Sequence, residues 1–307
     1  MDFSIREGQR SSAAWPARER PVRQVMAAMR ALFRTGYCSL QVEGSEHVPR
    51  DGSVVFVQNH AGWMALDAFF VAFAVAEAAG IHRTPWFPAH DSLMRLPLLG
   101  PLCRQLGALP VSALRDPSQL PSELTSFGIF PEGVQGNCKP FWNAYRMRRW
   151  RRGFARLAVA RQAAIVPVAV IGAEECLPVA CTVQFLEPLV GSILGCPIVP
   201  FPLPSRWKVI FHPPVQVTGH GRGGLADAAY CAELTRQVRA TVQRTLDRET
   251  AGHRLAQLAR WVDRLGQALP FTERQDPEQP PPPRPAAEPA ILRSTAARLR
   301  IQAVPRT

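Results

Sequence analysis

The stretch SVVFVQNHAGWMALDAFFVAFAVAEAAG, residues 53–80, decides how this chain folds. Its opening residues Val54, Val55, Phe56 and Val57 are apolar without alternation. That pattern marks a strand covered on both faces of a sheet. The run then breaks into Gln58, Asn59, His60, Ala61 and Gly62, and residues 64–79 read as a helix. A buried strand that hands over to a helix is the repeating unit of an α/β sheet. His60 sits at the handover, where open α/β sheets place their active sites.

The same alternation recurs outward from this stretch. Residues 21–35 place Val25, Met26, Met29, Leu32 and Phe33 at helical spacing with arginines between them, which suits either a packed helix or a basic amphipathic one lying on lipid. Leu40 and Val42 belong to a strand-like run. Downstream, 85–89, 108–111 and 127–130 read as short strands, 92–106 as a loop with a helix broken at Pro97 and Pro101, and 153–163 as a helix. The run AIVPVAVI, 164–171, is a buried strand despite Pro167, and 183–186 and 207–212 are further strand candidates. Residues 188–204 are apolar but crowded with Pro and Gly, which suits a core-lining loop or a surface that meets acyl chains or lipid. Residues 225–247 and 255–269 read as helices with a break near Gly252. The expected fold is therefore α/β, a mixed central sheet flanked by helices.

Composition sets the organisation. With 307 residues and 47% hydrophobic content the chain can bury a sizeable core. We expect an amphipathic helical region at 1–36, one domain at 37–271, and a disordered tail at 272–307, where seven prolines fall within 272–290. The 36 Lys and Arg against 24 Asp and Glu leave a formal charge of +12, which attracts anionic surfaces: nucleic acid, acidic phospholipid or a phosphate-bearing substrate. The seven cysteines, Cys38, Cys103, Cys138, Cys176, Cys181, Cys196 and Cys231, contain no close CxxC pair, so neither a metal site nor a disulfide framework is expected. The N-terminal residues lack the apolar core of a signal peptide, and the longest apolar stretch, 63–80, is interrupted by Asp67 and Glu77. A peripheral or monotopic protein on the cytoplasmic face of a membrane fits this pattern.

Two runs could carry chemistry. His60 followed by Asp67 could form a general base and its orienting carboxylate, although spacing alone favours a helix cap and a solvated acid. On one continuous helix the two would stand about 10 Å apart along the axis, too far for a hydrogen bond. Pairing therefore requires residues 61–63 to loop back over the helix start, which Gly62 would allow. The second run, FPEGVQG at 130–136, sets Glu132 and Gly133 in a turn after an apolar strand, where backbone N–H groups can face an anion. Lys139 and the basic aromatic run 145–152 follow, which alone would also suit nucleic acid.

Four blocks between about residues 40 and 215 resemble the phospholipid and glycerol acyltransferase superfamily that includes the 1-acylglycerol-3-phosphate acyltransferases. They are NHAGWMALD, GALPVSALRD at 107–116, FPEGVQG, and IVPVAVIG at 165–172. The resemblance implies a sheet flanked by helices, with His60 as catalytic base and Asp67 orienting it. It further implies Arg115 as the contact to an acceptor phosphate, and an acceptor pocket shaped by Glu132 and Gly133. Gln135 stands where the family commonly has Arg, and Lys139 is the expected replacement for that anion contact. No permanently bound cofactor is implied. The acyl donor would be a thioester of coenzyme A or of acyl carrier protein, the acceptor a lysophospholipid or related glycerolipid, and the setting a membrane surface; nucleic acid is not an expected partner. The chain departs from the family in one spacing: six residues separate His60 from Asp67, where four are usual. A non-catalytic lipid-binding relative would be the reading if that gap kept the two apart, and an acyltransferase with a non-glycerol acceptor is the other alternative.

Overall fold

The structure, a computed structural model, describes residues 18–183, 193–217, 227–268 and 299–301. In chain order the elements are α1 (Glu19–Arg34), β1 (Cys38–Glu43), β2 (Val54–Gln58), α2 (Leu66–Ala79), β3 (Phe87–Ala89), α3 (Asp91–Arg95), α4 (Leu99–Gln105), β4 (Ala108–Pro110), β5 (Ser126–Ile129), α5 (Val134–Asn137), α6 (Gly153–Arg161), β6 (Ala164–Ile171), α7 (Ala173–Cys176), β7 (Val179–Val183), β8 (Leu194–Pro197), β9 (Ser205–Phe211), α8 (Ala228–Glu249), α9 (Arg254–Ala268) and β10 (Leu299–Ile301).

The central sheet has the strand order β10-β1-β9-β6-β2-β5. β2 lies between β5 and β6 and runs parallel to both, β1 is parallel to β9, and β9 is antiparallel to β6, so the sheet is mixed as expected. The non-alternating apolar run has its cause in this position. Every residue of β2 is buried, Val55 and Val57 packing into one core and Val54 and Phe56 into the other.

Helices cover both faces. On one side α1 and α2 close the core through Val22, Met26, Phe33, Phe70 and Phe73, with Phe33 edge-on to Phe73 at 5.2 Å and Phe70 stacked on Trp207 at 3.8 Å. α1 is thus a packed helix: Met26, Met29 and Phe33 of the expected stripe are buried, while Leu32 is left exposed. On the other side α6, α8 and α9 pack through Phe154, Leu157, Val238, Val242, Leu246 and Ala259. The segment around Pro97 and Pro101 is two short helices, α3 and α4, folded so closely that a Cβ on Gly100 would lie 2.3 Å from the Met94 carbonyl oxygen.

Three boundaries differ from expectation. The second helix starts at Leu66 instead of residue 64, β8 forms inside the Pro- and Gly-rich segment, and residues 299–301 of the expected tail pair antiparallel with β1. The strand candidate at 183–186 and the proline-rich stretch 272–290 fall wholly or mostly outside the described residues. None of the described helices is long and apolar enough to cross a membrane.

Candidate active site

The late start of α2 brings His60 and Asp67 together. Gly62 holds φ 75° and ψ 141°, and Met64 and Ala65 both take left-handed backbone, φ 67° and 52°. This conformation costs a non-glycine residue on the order of 1–3 kcal/mol. The turn winds the extra residues of the spacing back on themselves instead of extending the helix. Asn137 Oδ1 supports it by accepting the Ala65 N–H at 3.3 Å, and Gly62 lies where a Cβ would meet the Ala173 carbonyl oxygen at 2.6 Å. As a result His60 Nδ1 is 2.7 Å from Asp67 Oδ2, and both side chains are buried. The same carboxylate oxygen accepts the Ala61 N–H at 3.1 Å, while Oδ1 accepts the Ala68 N–H at 3.0 Å in the first turn of α2. A carboxylate there also faces the positive end of the helix. With Nδ1 engaged, Nε2 is the nitrogen left for a substrate proton.

The turn after β5 fixes the other side of the imidazole. Glu132 is buried and spans two backbone groups: Oε1 accepts the His60 N–H at 3.0 Å and Oε2 accepts the Arg148 N–H at 2.6 Å. It positions His60 from behind and has both oxygens committed to the main chain. Phe130 stacks on the His60 ring with centroids 3.9 Å apart and 24° between planes. Gly133 turns the chain with φ 58° toward open space, and Gly136 lets α5 press against His60, since a Cβ there would lie 2.6 Å from the Glu132 Cβ and 3.0 Å from the His60 Cβ. Asn59 anchors the strand end itself: its amide donates to the Val170 carbonyl at 2.9 Å and accepts the Val170 N–H at 2.8 Å, tying β2 to β6 one residue before the base.

Lys139 is not where an anion contact would need it. Its ammonium is buried and paired with Glu174 Oε1 at 3.2 Å. Burial works against its charge, but the Glu132 and Glu174 carboxylates outweigh it and hold the ammonium above its ordinary range. Burial pushes the Glu174 carboxyl up, against the pull of Lys139, and the close approach of the two groups favours the charged pair. An ammonium so committed is a structural cation inside the wall behind Glu132, which corrects the expected substitution for Arg. Arg115 closes a 3-10 turn (Val111–Arg115) after β4 and is exposed, with no contact to the His60 pair. In the basic aromatic run, Tyr145 and Trp150 are buried and offer no open ring faces for stacking bases.

Residues 39–171 match the acyltransferase family model. An uncharacterized protein of Mycobacterium tuberculosis is 34% identical over 240 residues, covering 75% of this chain and 66% of the relative. One of Mycobacterium leprae is 33% identical over 239 residues, 74% of this chain and 64% of the relative. The chain thus spans about two thirds of the length of these relatives. Among solved structures, the 1-acyl-sn-glycerophosphate acyltransferase PlsC of Thermotoga maritima superposes with a TM-score of 0.52 at 18% identity, covering 76% of this chain and 81% of that one.

Residues 39–171 thus carry the acyltransferase family's domain.

Within this segment the histidine and carboxylate meet despite their unusual spacing. Several supports were not legible in the sequence reading. The partner of Asn59 lies 111 residues away and leaves no local pattern, whereas Phe130 and Gly136 stood in the quoted FPEGVQG run.

Proposed function

We propose that this protein transfers a fatty acyl group from a thioester donor, acyl-CoA or acyl carrier protein, to the hydroxyl of a lysophospholipid or related glycerolipid. The observation that carries the reading is the 2.7 Å contact from His60 Nδ1 to Asp67 within the acyltransferase-family segment. His60 Nε2 removes the acceptor hydroxyl proton as that oxygen attacks the thioester carbonyl carbon. Asp67 holds the tautomer and steadies the imidazolium as it forms. Backbone N–H groups of the turn at Gly62 or at Gly133 stabilise the tetrahedral oxyanion. Collapse expels the thiolate, which takes the proton back from His60, leaving an ester and a free thiol. No covalent acyl-enzyme is needed.

Glu132 and Gly133 keep the shape of the acceptor side, Glu132 through the main chain and Gly133 by leaving space beside it. β3 and β4 run parallel, and β3 is continuous with a bridge that runs parallel to β5, so Arg115 follows a strand end on the same sheet edge as the Glu132 turn. Its exposed guanidinium is the basic group we assign to an acceptor phosphate. The enzyme would work as a peripheral or monotopic protein at the cytoplasmic face of a membrane, in keeping with the charge of +12.

The test is purified protein incubated with labelled acyl-CoA and acyl carrier protein donors against lysophosphatidate, other lysolipids, and non-glycerol acceptors. Acylated glycerolipid is the expected product. Product confined to non-glycerol acceptors, or none with any pairing, would overturn the reading.

A further inference from the structure

Among the described residues, the two most exposed large apolar side chains, Leu98 and Phe201, lie at one edge of the sheet, and strand directions identify that edge as the catalytic one. His60 follows the carboxyl end of β2, and the Glu132 turn follows the carboxyl end of β5, its parallel neighbour. β3 continues from Trp86, which bridges Phe127 in the parallel sense, so α3 and the α3–α4 turn also leave from this edge. β9 runs antiparallel to β6, which is itself parallel to β2, so the residues that enter β9 lie at the same edge again.

Two apolar outcrops stand there. At the α3–α4 turn residues 95–99 are all exposed, Leu98 to 89%, with Leu96 and Leu99 beside it. Ahead of β9, Phe201 is 75% exposed and Leu203 accompanies it, fixed by its N–H to the Cys176 carbonyl at 2.7 Å and by the Tyr37 hydroxyl donating to the Pro202 carbonyl. Met64, in the turn that folds His60 onto Asp67, is also exposed, ahead of both outcrops in chain order. Arg95, Arg104 and Arg206 are exposed around these outcrops, and Asp91, the nearby acid, is engaged by the N–H and hydroxyl of Ser112 at 3.2 and 3.0 Å. Apolar tips on tight turns, ringed by arginines, suit the boundary between acyl chains and anionic headgroups.

We propose that the catalytic edge is a bilayer-docking face, in which the α3–α4 turn and residues 198–203 insert into an anionic leaflet. The occupant is lipid because the two outcrops share a rim of basic residues on a chain of charge +12. The inference rests on the acyl-transfer reading for its purpose, since it delivers a lipid hydroxyl to His60 without extraction from the leaflet. Docking itself is measured without any substrate.

Flotation with vesicles of phosphatidylcholine, with and without phosphatidylglycerol, provides the test. Leu98→Glu combined with Phe201→Glu places charges on side chains that pack little in the fold, and circular dichroism melting checks that the variant is folded. Trp261→Glu, on the exposed side of α9, and His60→Ala are controls. The wild-type protein should float with the anionic vesicles and do so less at high salt. The double variant should lose at least about tenfold in partitioning, about 1.4 kcal/mol, while both controls float as wild type. Arg95→Gln with Arg104→Gln should weaken binding to the anionic vesicles alone. Equal flotation of the wild type and the Leu98 and Phe201 double variant would overturn the proposal. So would self-association of the wild type abolished in that variant, which would assign the face to a second copy. Loss of turnover with docking intact would bear on the catalytic reading and leave this one standing.

Discussion

Replacing Gly136 by alanine tests whether the FPEG turn acts by pressing the base into place. An added Cβ would stand 2.6 Å from the Glu132 Cβ and 3.0 Å from both the Cβ and the carbonyl oxygen of His60, against 3.4 Å for ordinary contact. None of these neighbours is the loose end of a flexible side chain, so residue 136 must draw away from the Glu132 Cβ by about 0.8 Å and from His60 by about 0.4 Å, the differences between 3.4 and 2.6 and between 3.4 and 3.0, which pulls Glu132 and His60 out of register. The hydrogen bond that spans them, from the His60 N–H to Glu132 Oε1 at 3.0 Å, cannot survive that movement unchanged. A misplacement near 1 Å in an active site lowers turnover about 10²-fold, and overpacking costs roughly 1–3 kcal/mol of stability. Initial rates of thiol release, read beside thermal melting, separate the two effects. Gly136→Ala should remain folded and lose about 10²-fold in kcat; turnover within about twofold of wild type would refute the argument that this contact positions His60.

Further perturbations read other parts of the site. Asp67→Asn keeps the shape but removes the charge that orients Nδ1, and kcat should fall about 10³–10⁴-fold with folding preserved, as judged by rates and circular dichroism. Lys139→Met leaves Glu174 buried without its cation and should cost about 3–5 kcal/mol in chemical denaturation; adding Glu174→Gln should recover part of it. His212 accepts or donates a hydrogen bond with Thr245 at 3.1 Å, and burial, aided by Arg248, His47 and Arg244, pulls its pKa from 6.5 to about 4. Because the unfolded chain binds that proton first, stability is full above pH 6.5 and is lost as pH falls toward about 4. Urea melts should show that wild type loses more stability than His212→Gln between about pH 7 and about pH 4.5.

How much of this was legible in the sequence follows from the range of each interaction. β2 announced itself because burial on both faces leaves a local record, an apolar run without alternation, and β6 did the same despite Pro167. His60 at the strand end and the FPEG turn were legible for the same reason. The boundary of α2 was not, because Met64 and Ala65 carry no turn-forming chemistry and take left-handed backbone under the demand of the His60 to Asp67 contact. Lys139 was misread because its partner Glu174 is distant in sequence, and a lysine beside a basic run looks like a surface cation until the fold buries it. The Asn59 clamp on Val170 and the tie from Glu132 to the Arg148 N–H are likewise products of topology. β8 escaped because its Pro- and Gly-rich composition opposes strand formation, and only pairing with β7 makes it one.

The most direct test of the central claim is acyl transfer from a labelled thioester to a lysolipid by purified protein carrying His60→Ala. His60 is held by Asp67, Glu132 and Phe130 without being needed by the core, so the variant should fold as the wild type does and form no acylated product. Product formation by folded His60→Ala at a rate near that of the wild type would contradict the account.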